Sequence, residues 1–218
     1  TRVLEAAKAL GYEPNPMAQG LRLGRGRTVA LLVGDIEQNV YSALTKHVQA
    51  ELESVGLDVL LFNLGHREDR LRRLLDRAIA LRMHGLCIAS SDVIPLRDLR
   101  PVIRKLAANN TQVIALNQRL EAPDIACVTH DNVAGARMAT RYLIDRGYAP
   151  VVYVGRVSSA VGRERYQGYR AALAEAGIAD TPDLVWQTDQ RYRYEAGYEA
   201  MNRALDRGLA FRSVFAGS

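Results

Sequence analysis

Two arginines set two positions apart, Arg163 and Arg165 in "GRERYQGY", stand where a helix is expected to begin. The positive end of a helix dipole disfavours a cation there by about 0.3–1 kcal/mol, and Glu164 between them offsets part of that cost. A guanidinium offers a planar fork of donors that suits hydroxyls, carboxylates or phosphates. Ligand contact by at least one of the pair therefore competes with a plain solvated surface. Other polar residues gather just after short apolar runs: Asp35, Asn63, Ser90, Asn117, Arg156 and Gln187, with Gln38, Asn39, Tyr41, Arg119 and Asp131 close behind. Ligands of open parallel sheets bind beyond the carboxyl ends of the strands, which makes these residues pocket candidates, although loops are hydrophilic without any ligand. Tyr192 in "QRYRYEAGY" suits the face of a ring or sugar, and ordinary packing equally. The chemistry such a set supports is recognition.

Bond-making finds no comparable set. The chain has no G-x-S-x-G elbow, no G-x-x-x-x-G-K-[ST] phosphate loop and no G-x-G-x-x-G after its first strand-like run. Asp35 and Glu37 read as hydration or capping rather than as an acid/base pair, so no enzyme is expected. His47, His66, His84 and His130 show no ligand spacing with one another or with Cys87 and Cys127, and neither metal nor cofactor is expected. The two cysteines lie in or beside apolar runs and read as reduced, buried thiols.

These candidates need a scaffold, and from Thr28 onward the chain supplies a repeating one. The runs "TVALLVG", "LDVLLFN", "GLCIAS", "QVIAL", "IACV", "VVYVG", "LVWQ" and "SVFA" read as buried strands. Between most of them lie helical patterns: Leu44, Val48, Leu52 and Val55 up to Gly56; Leu71, Leu74, Leu75 and Ala78; and Val102, Ile103 and Leu106, opened by Pro95 and stopped at Asn109 and Asn110. Later ones run from Asn132 to Gly147, from about 162 to 177, and from about 194 to 208. Such βα alternation requires parallel sheets with right-handed crossovers. The stretch "NQRLEAPDIACVTHDN" breaks the rhythm, because two strand-like pieces follow each other with no helix between. It marks a lobe boundary, with the first four strands expected in one lobe, the later ones in a second, and a cleft between.

With 218 residues, 48% of them hydrophobic, the chain has material for a sizeable core. No apolar run is long enough to span a membrane, so no membrane association is expected and the protein is placed in the cytoplasm. Its net charge is +5, and +3 of that falls within the first 27 residues, on Arg2, Lys8, Arg22, Arg25 and Arg27 against Glu5 and Glu13. A local basic excess suits a polyanion such as nucleic acid, or simply solvated surface.

The opening residues sharpen that choice. "TRVLEAAKAL" places Val3, Ala7 and Leu10 on one helical face before Gly11, and a helix of about ten residues is marginal unless something covers that face. Asn15 can then cap a very short helix, "PMAQGLR", whose first residue Pro16 has its φ already set. Gly20 within it costs roughly 0.5–1 kcal/mol relative to alanine, so the segment needs a partner to become ordered.

These residues resemble the LacI/GalR family of bacterial transcription regulators. The family's DNA-binding domain ends in a helix of the form RV-x-x-A-x-x-LGY-x-PN, and the chain has "RVLEAAKALGYEPN". A hinge of the form N-x-x-A-R-x-L follows in the family, matched here at Asn15, Ala18 and Leu21 of "NPMAQGL". The similarity continues through "TVALLVGDIEQNVYSAL", "HDNVAGARMATRYLIDRGY" and "RERYQGYRAALAEAGI", and so runs along essentially the whole chain.

The resemblance implies an α/β, two-lobed fold like that of periplasmic binding proteins, with parallel sheets flanked by helices, behind a partial helical headpiece and a hinge helix. Residues 1–14 would be the last helix of a helix-turn-helix domain, 15–27 the hinge and basic linker, 28–130 the amino-terminal lobe and 131–218 the carboxy-terminal lobe. It implies a homodimeric repressor that binds operator DNA and answers to a small-molecule effector in the interlobe cleft, a sugar first among the candidates. The hinge would contact DNA through Asn15, Ala18, Gln19, Leu21, Arg22 and Arg25. Leu21 would wedge between base pairs in the minor groove, or else be buried against its own domain, and Arg22, Arg25 and Arg27 would meet phosphates. The effector would meet Asp35, Asn39, Tyr41, Asn117, Arg119, Asp131, Arg163, Arg165 and Tyr192, with Arg165 the arginine of the family's R-x-x-G-[FY] element.

The chain departs from the pattern at Gln19, where the family usually has arginine, and at Gly20, which softens the hinge. It begins within the expected DNA-binding domain, without the recognition helix, and stops before both lobes are complete, as a fragment of a longer regulator would. A free solute-binding protein of periplasmic type shares the two-lobed fold and is the alternative. It would have no use for the basic segment at 11–27.

Overall fold

A strand buried on both faces of a parallel sheet reads as an unbroken apolar run, and two such runs become adjacent interior strands of one sheet. In the computed structural model, which describes residues 2–12, 26–65, 67–91, 96–120, 122, 125–188 and 194–217, these are β1 (Thr28–Val33) and β3 (Gly85–Ala89). Around them lie β2 (Asp58–Asn63), β4 (Gln112–Leu116) and β5 (Ile125–Val128), in the order β2-β1-β3-β4-β5. The pairs β1–β2, β1–β3 and β3–β4 are parallel, with registers that run from Thr28 opposite Asp58 to Val33 opposite Asn63 and from Gly85 opposite Gln112 to Ala89 opposite Leu116.

Helices cover both faces. On one, Leu71, Leu75 and Ala78 of α3 (Glu68–Ala80) and Leu99, Ile103 and Leu106 of α4 (Leu96–Ala108) pack over Ala30, Leu32, Leu86 and Ile88. On the other, α2 (Asn39–Ser54) sets Tyr41 against Leu31, Val33, Cys87 and Ala89, with Leu44 and Val48 alongside. Helix α1 (Arg2–Ala9) precedes them, with Val3 81% and Leu10 85% exposed.

A second sheet has β6 (Val151–Gly155) between β7 (Val185–Gln187) and β8 (Ser213–Ala216), again parallel. Its helices are α5 (Asn132–Asp145), α6 (Ala160–Glu175) and α7 (Tyr194–Asp206). One core layer joins Val151 and Tyr153 to Tyr169 and Leu173 of α6, and the other joins Val152 and Trp186 to Ala200 and Ala204 of α7. By contacts the chain divides into two compact units, residues 1–90 with 94–127 and residues 91–93 with 128–218.

All eight expected strands form. The expected four-strand first lobe is corrected, because "IACV" becomes β5 and joins the first sheet beside β4. An eight-residue connection is too short to carry a crossover helix, so the chain stays at the same sheet edge. Asn110 ends α4 with φ +56 and Gly56 follows α2 with φ +73, as their expected roles as helix stops require. Helix α2 begins at Asn39, several residues before the pattern at Leu44, so Asn39 and Tyr41 occupy its first turn rather than a loop. Cys87 is buried as expected, whereas Cys127 is half-buried, its Sγ accepting from the Leu120 N–H at 3.3 Å. Pro95, His66, Tyr192 and the whole expected DNA-contacting set, Asn15, Ala18, Gln19, Leu21, Arg22 and Arg25, lie outside the described residues.

Candidate ligand-binding site

In the second unit the site is built by two helices that touch backbone to backbone. A Cβ on Gly168 of α6 would stand 2.2 Å from the Val133 carbonyl oxygen and 2.9 Å from Ala136 Cβ and the Arg137 nitrogen, all on α5. Any side chain at 168 would push the helices apart. Arg165 lies one turn before Gly168, on the same face, and the close approach brings its Nε–H to the side-chain Oδ1 of Asn132 at 3.0 Å. Its Nη1 donates to the Gly217 carbonyl just beyond β8 at 3.2 Å, and Nη2 has no partner among the described residues. The i, i+3 spacing of arginine and glycine thus has a geometric reason: the glycine sets the helix distance and the arginine uses it.

Asn132 is the first residue of α5 and is buried, 8% exposed. Its Nδ2 donates to Glu164 Oε2 at 2.8 Å and to the His130 carbonyl at 3.3 Å. Asp131, the residue before it, caps the helix by accepting from the Ala134 N–H at 2.9 Å. Asp131 and Arg165 are therefore brought to the same helix start. Arg163 turns back instead, its Nη1 donating to the Ser158 carbonyl at 3.0 Å, where Arg156 Nε also donates to Ser158 Oγ at 2.9 Å. Ser159 caps α6 by accepting from the Gly162 N–H.

In the first unit the strand ends are tied to one another by side chains. Asp35 is 5% exposed and its Oδ1 accepts from the Glu37 N–H at 3.2 Å, which folds the turn after β1. Asn63, at the end of β2, accepts on Oδ1 from the Ile36 N–H at 3.4 Å and the Gly65 N–H at 3.1 Å. Asn117 ends β4 with φ +66, a conformation asparagine tolerates better than most residues. Beside it Gln118 is buried and donates through Nε2 to the Ser90 carbonyl at 2.6 Å, joining the ends of β3 and β4. Arg119 and Asn39 are exposed, and Tyr41 is 2% exposed, its ring packed in the core against Gly34, which leaves it almost no surface for a ligand.

Sequence reasoning missed Asn132 and Gln118, both polar and both buried. Their neighbours Asp131 and Asn117 were legible as pocket candidates after apolar runs, but nothing in a single sequence marks which of two adjacent polar residues turns inward. Arg27, expected at DNA phosphates, is exposed and donates through Nε to the Gly56 carbonyl at 2.9 Å, with Nη2 on the same oxygen, and so satisfies a carbonyl at the end of α2. Among the described residues no group of three or more His, Cys, Asp or Glu side chains is placed to hold a metal ion, and no helix is long and apolar enough to cross a membrane.

Parallel sheets with helices on both faces, in two units, with polar side chains at the strand ends, define an α/β binding protein of the periplasmic type. The chain belongs to the family described as periplasmic binding proteins and the sugar-binding domain of the LacI family, whose model matches residues 26–216. The resemblance carried by the opening motifs is therefore borne out, as is the fold, and regulators of this family are not enzymes. The chain is 31% identical over 213 residues to the HTH-type transcriptional regulator GalR of Escherichia coli, covering 97% of this chain and 60% of that protein. It is 26% identical over 218 residues to the ribose operon repressor of the same organism, covering 100% and 64%. A LacI-family transcriptional regulator of Sanguibacter keddieii has a structure similar at TM-score 0.71 and 28% identity, covering 87% of this chain and 66% of that one. The chain thus spans about 60% of the length of the curated relatives it matches.

Proposed function

We propose that this chain is the sensing portion of a ligand-responsive transcriptional repressor, which takes a small polar effector and controls binding to operator DNA through the segment at residues 15–27. The observation that carries the reading is Arg165. It is held at two of its nitrogens by Asn132 and Gly217, with Nη2 left over among the described residues, at the carboxyl ends of β6 and β8 where ligands of such sheets bind. A sugar is the first candidate, because a forked donor suits vicinal hydroxyls and because the matching family description names sugar-binding domains. Asp35, Asn39, Asn117, Arg119, Asp131, Arg163 and Tyr192 complete the proposed set, with Tyr41 supporting the first turn of α2 from within the core.

An effector regulates only by binding one arrangement better than another. In this reading it shifts a homodimer, in the cytoplasm, between states that differ in the spacing of the two hinge segments. Thermal-shift screening of monosaccharides, disaccharides, purines and small acids should yield a stabilising ligand, and Arg165→Ala should weaken it by about tenfold or more, the scale of a lost charge-assisted hydrogen bond. Full affinity in that variant would remove Arg165 from the site.

The second reading, a solute-binding protein with no DNA role, is supported by the same family description, which covers periplasmic binding proteins as well. DNA titrations of the protein separate the two. A regulator loses affinity steeply as salt rises, with a slope that falls when Arg22 or Arg25 is removed, and a solute-binding protein shows no such binding.

A further inference from the structure

We infer that Asn132 and Glu164 are positioning residues for Arg165: together they fix the direction in which its guanidinium points, without touching the ligand themselves. This rests on the reading above that Arg165 meets the effector, and it adds the device that aims it.

Donor and acceptor order dictates the arrangement. A guanidinium only donates, so whatever meets the Arg165 Nε–H must accept. An asparagine amide can present either its oxygen or its nitrogen, and taken alone Asn132 would do either. Two acceptors decide for it. The Glu164 carboxylate lies 2.8 Å from Nδ2 and the His130 carbonyl 3.3 Å from it, and neither could face the amide oxygen without repulsion. With Nδ2 committed to both, Oδ1 is turned to Arg165 Nε at 3.0 Å, and the Gly217 carbonyl takes Nη1 at 3.2 Å. The order Glu164 carboxylate, Asn132 amide, Arg165 guanidinium alternates acceptor and donor throughout.

Glu164 and Arg165 are adjacent on α6, yet they are linked through a residue of α5 more than thirty positions earlier in the chain. The relay therefore exists only while the two helices stay at the distance set by Gly168. Asn132 is buried, so water has little access to its amide to replace a missing partner. An arginine so held has lost its rotamer freedom before any ligand arrives, which is how preorganisation raises affinity.

The test reads Arg165 directly and needs no ligand. In the 15N-labelled chain the Nε–Hε signal of Arg165, assigned by its loss in Arg165→Lys, should exchange slowly with solvent. Asn132→Ala should speed that exchange by about tenfold or more, since a part-buried charge-assisted hydrogen bond is lost. Glu164→Ala should speed it by about fivefold, because the amide is released to turn, whereas Glu164→Gln, which retains an acceptor, should stay within about twofold of the parent. Thermal melting of the Glu164 variants should change little, which separates positioning from general loosening.

Unchanged exchange in a folded Asn132→Ala overturns the inference. Should that variant fail to fold, equal exchange in Glu164→Ala and the parent overturns it instead. Failure of the effector reading would show up elsewhere, in the ligand screen and in Arg165→Ala.

Discussion

Cys87 shows how far a single residue's chemistry is set by its surroundings. It lies in β3 against Leu31, Val33 and Ala89, and burial pushes its thiol up from 9.0 to about 11. Thiolate is the reactive form, so at neutral pH Cys87 should resist iodoacetamide and Ellman's reagent in the folded protein and react at once in denaturant, with the modified cysteine identified by peptide mass. The same shift bears on stability. The unfolded chain gives up this proton near pH 9 and the folded one only near 11, so the stabilisation is whole below pH 9 and fades as pH rises between the two values. Burial also raises the Tyr169 hydroxyl, in the same direction. Urea titrations should show stability falling by on the order of 2 kcal/mol between pH 9 and pH 11, and a flat profile there would contradict the burial assigned to Cys87. That cysteine's burial was legible in the sequence, from the unbroken apolar run around it. The inward turn of Tyr41 was not, because an aromatic residue in a helix's first turn looks the same in sequence whether it faces the sheet or the solvent.

At the scale of elements the contact between α5 and α6 makes the sharpest claim. Gly168→Ala should lower stability by about 1–3 kcal/mol, the usual cost of overpacking, because its Cβ would meet the α5 backbone at Val133 and Arg137 and the short Ala136 side chain, none of which can swing aside. Gly135, in α5 itself, is the control. Nothing lies within 4 Å of a Cβ there, and Gly135→Ala should stabilise by roughly 0.5–1 kcal/mol as a helix-interior glycine is removed. Denaturant melts of the two variants should move in opposite directions, and a shared direction would mean that the helix distance is not set at residue 168. Element identity was well encoded. Eight apolar runs gave eight strands, and glycine or asparagine stops fell where helices end. Tyr41 continues the spacing of Leu44 and Val48 one turn earlier, on the same face, but the first turn of α2 was hidden because Asn39 and Val40 lie off that face and the polar Gln38 and Asn39 read as loop. The placement of β5 was hidden because which sheet a strand joins depends on pairing with distant residues, and its own four residues carry no record of that.

For the molecule as a whole, the proposed function asks what would connect ligand sensing to DNA. If the proposed function holds, Arg22→Ala and Arg25→Ala should each lower the slope of log DNA affinity against log salt by about 1. Leu21→Ala should reduce both affinity and DNA bending, and an unchanged bend would reject the wedge. Arg27 also bears on how movement could pass along the chain. On one side the Gly26 N–H donates to the Arg82 carbonyl at 3.0 Å, on the other the Asp58 N–H donates to the Arg27 carbonyl at 2.9 Å, and the Arg27 side chain reaches Gly56. The entry to β1 is thus bolted to the end of α2, to the start of β2 and to the turn after α3. A segment fastened in that way behaves as a crank rather than a tether: a rotation of the first unit would reach residue 26 without slack, and loosening the bolts would leave sensing intact while the message fails to arrive.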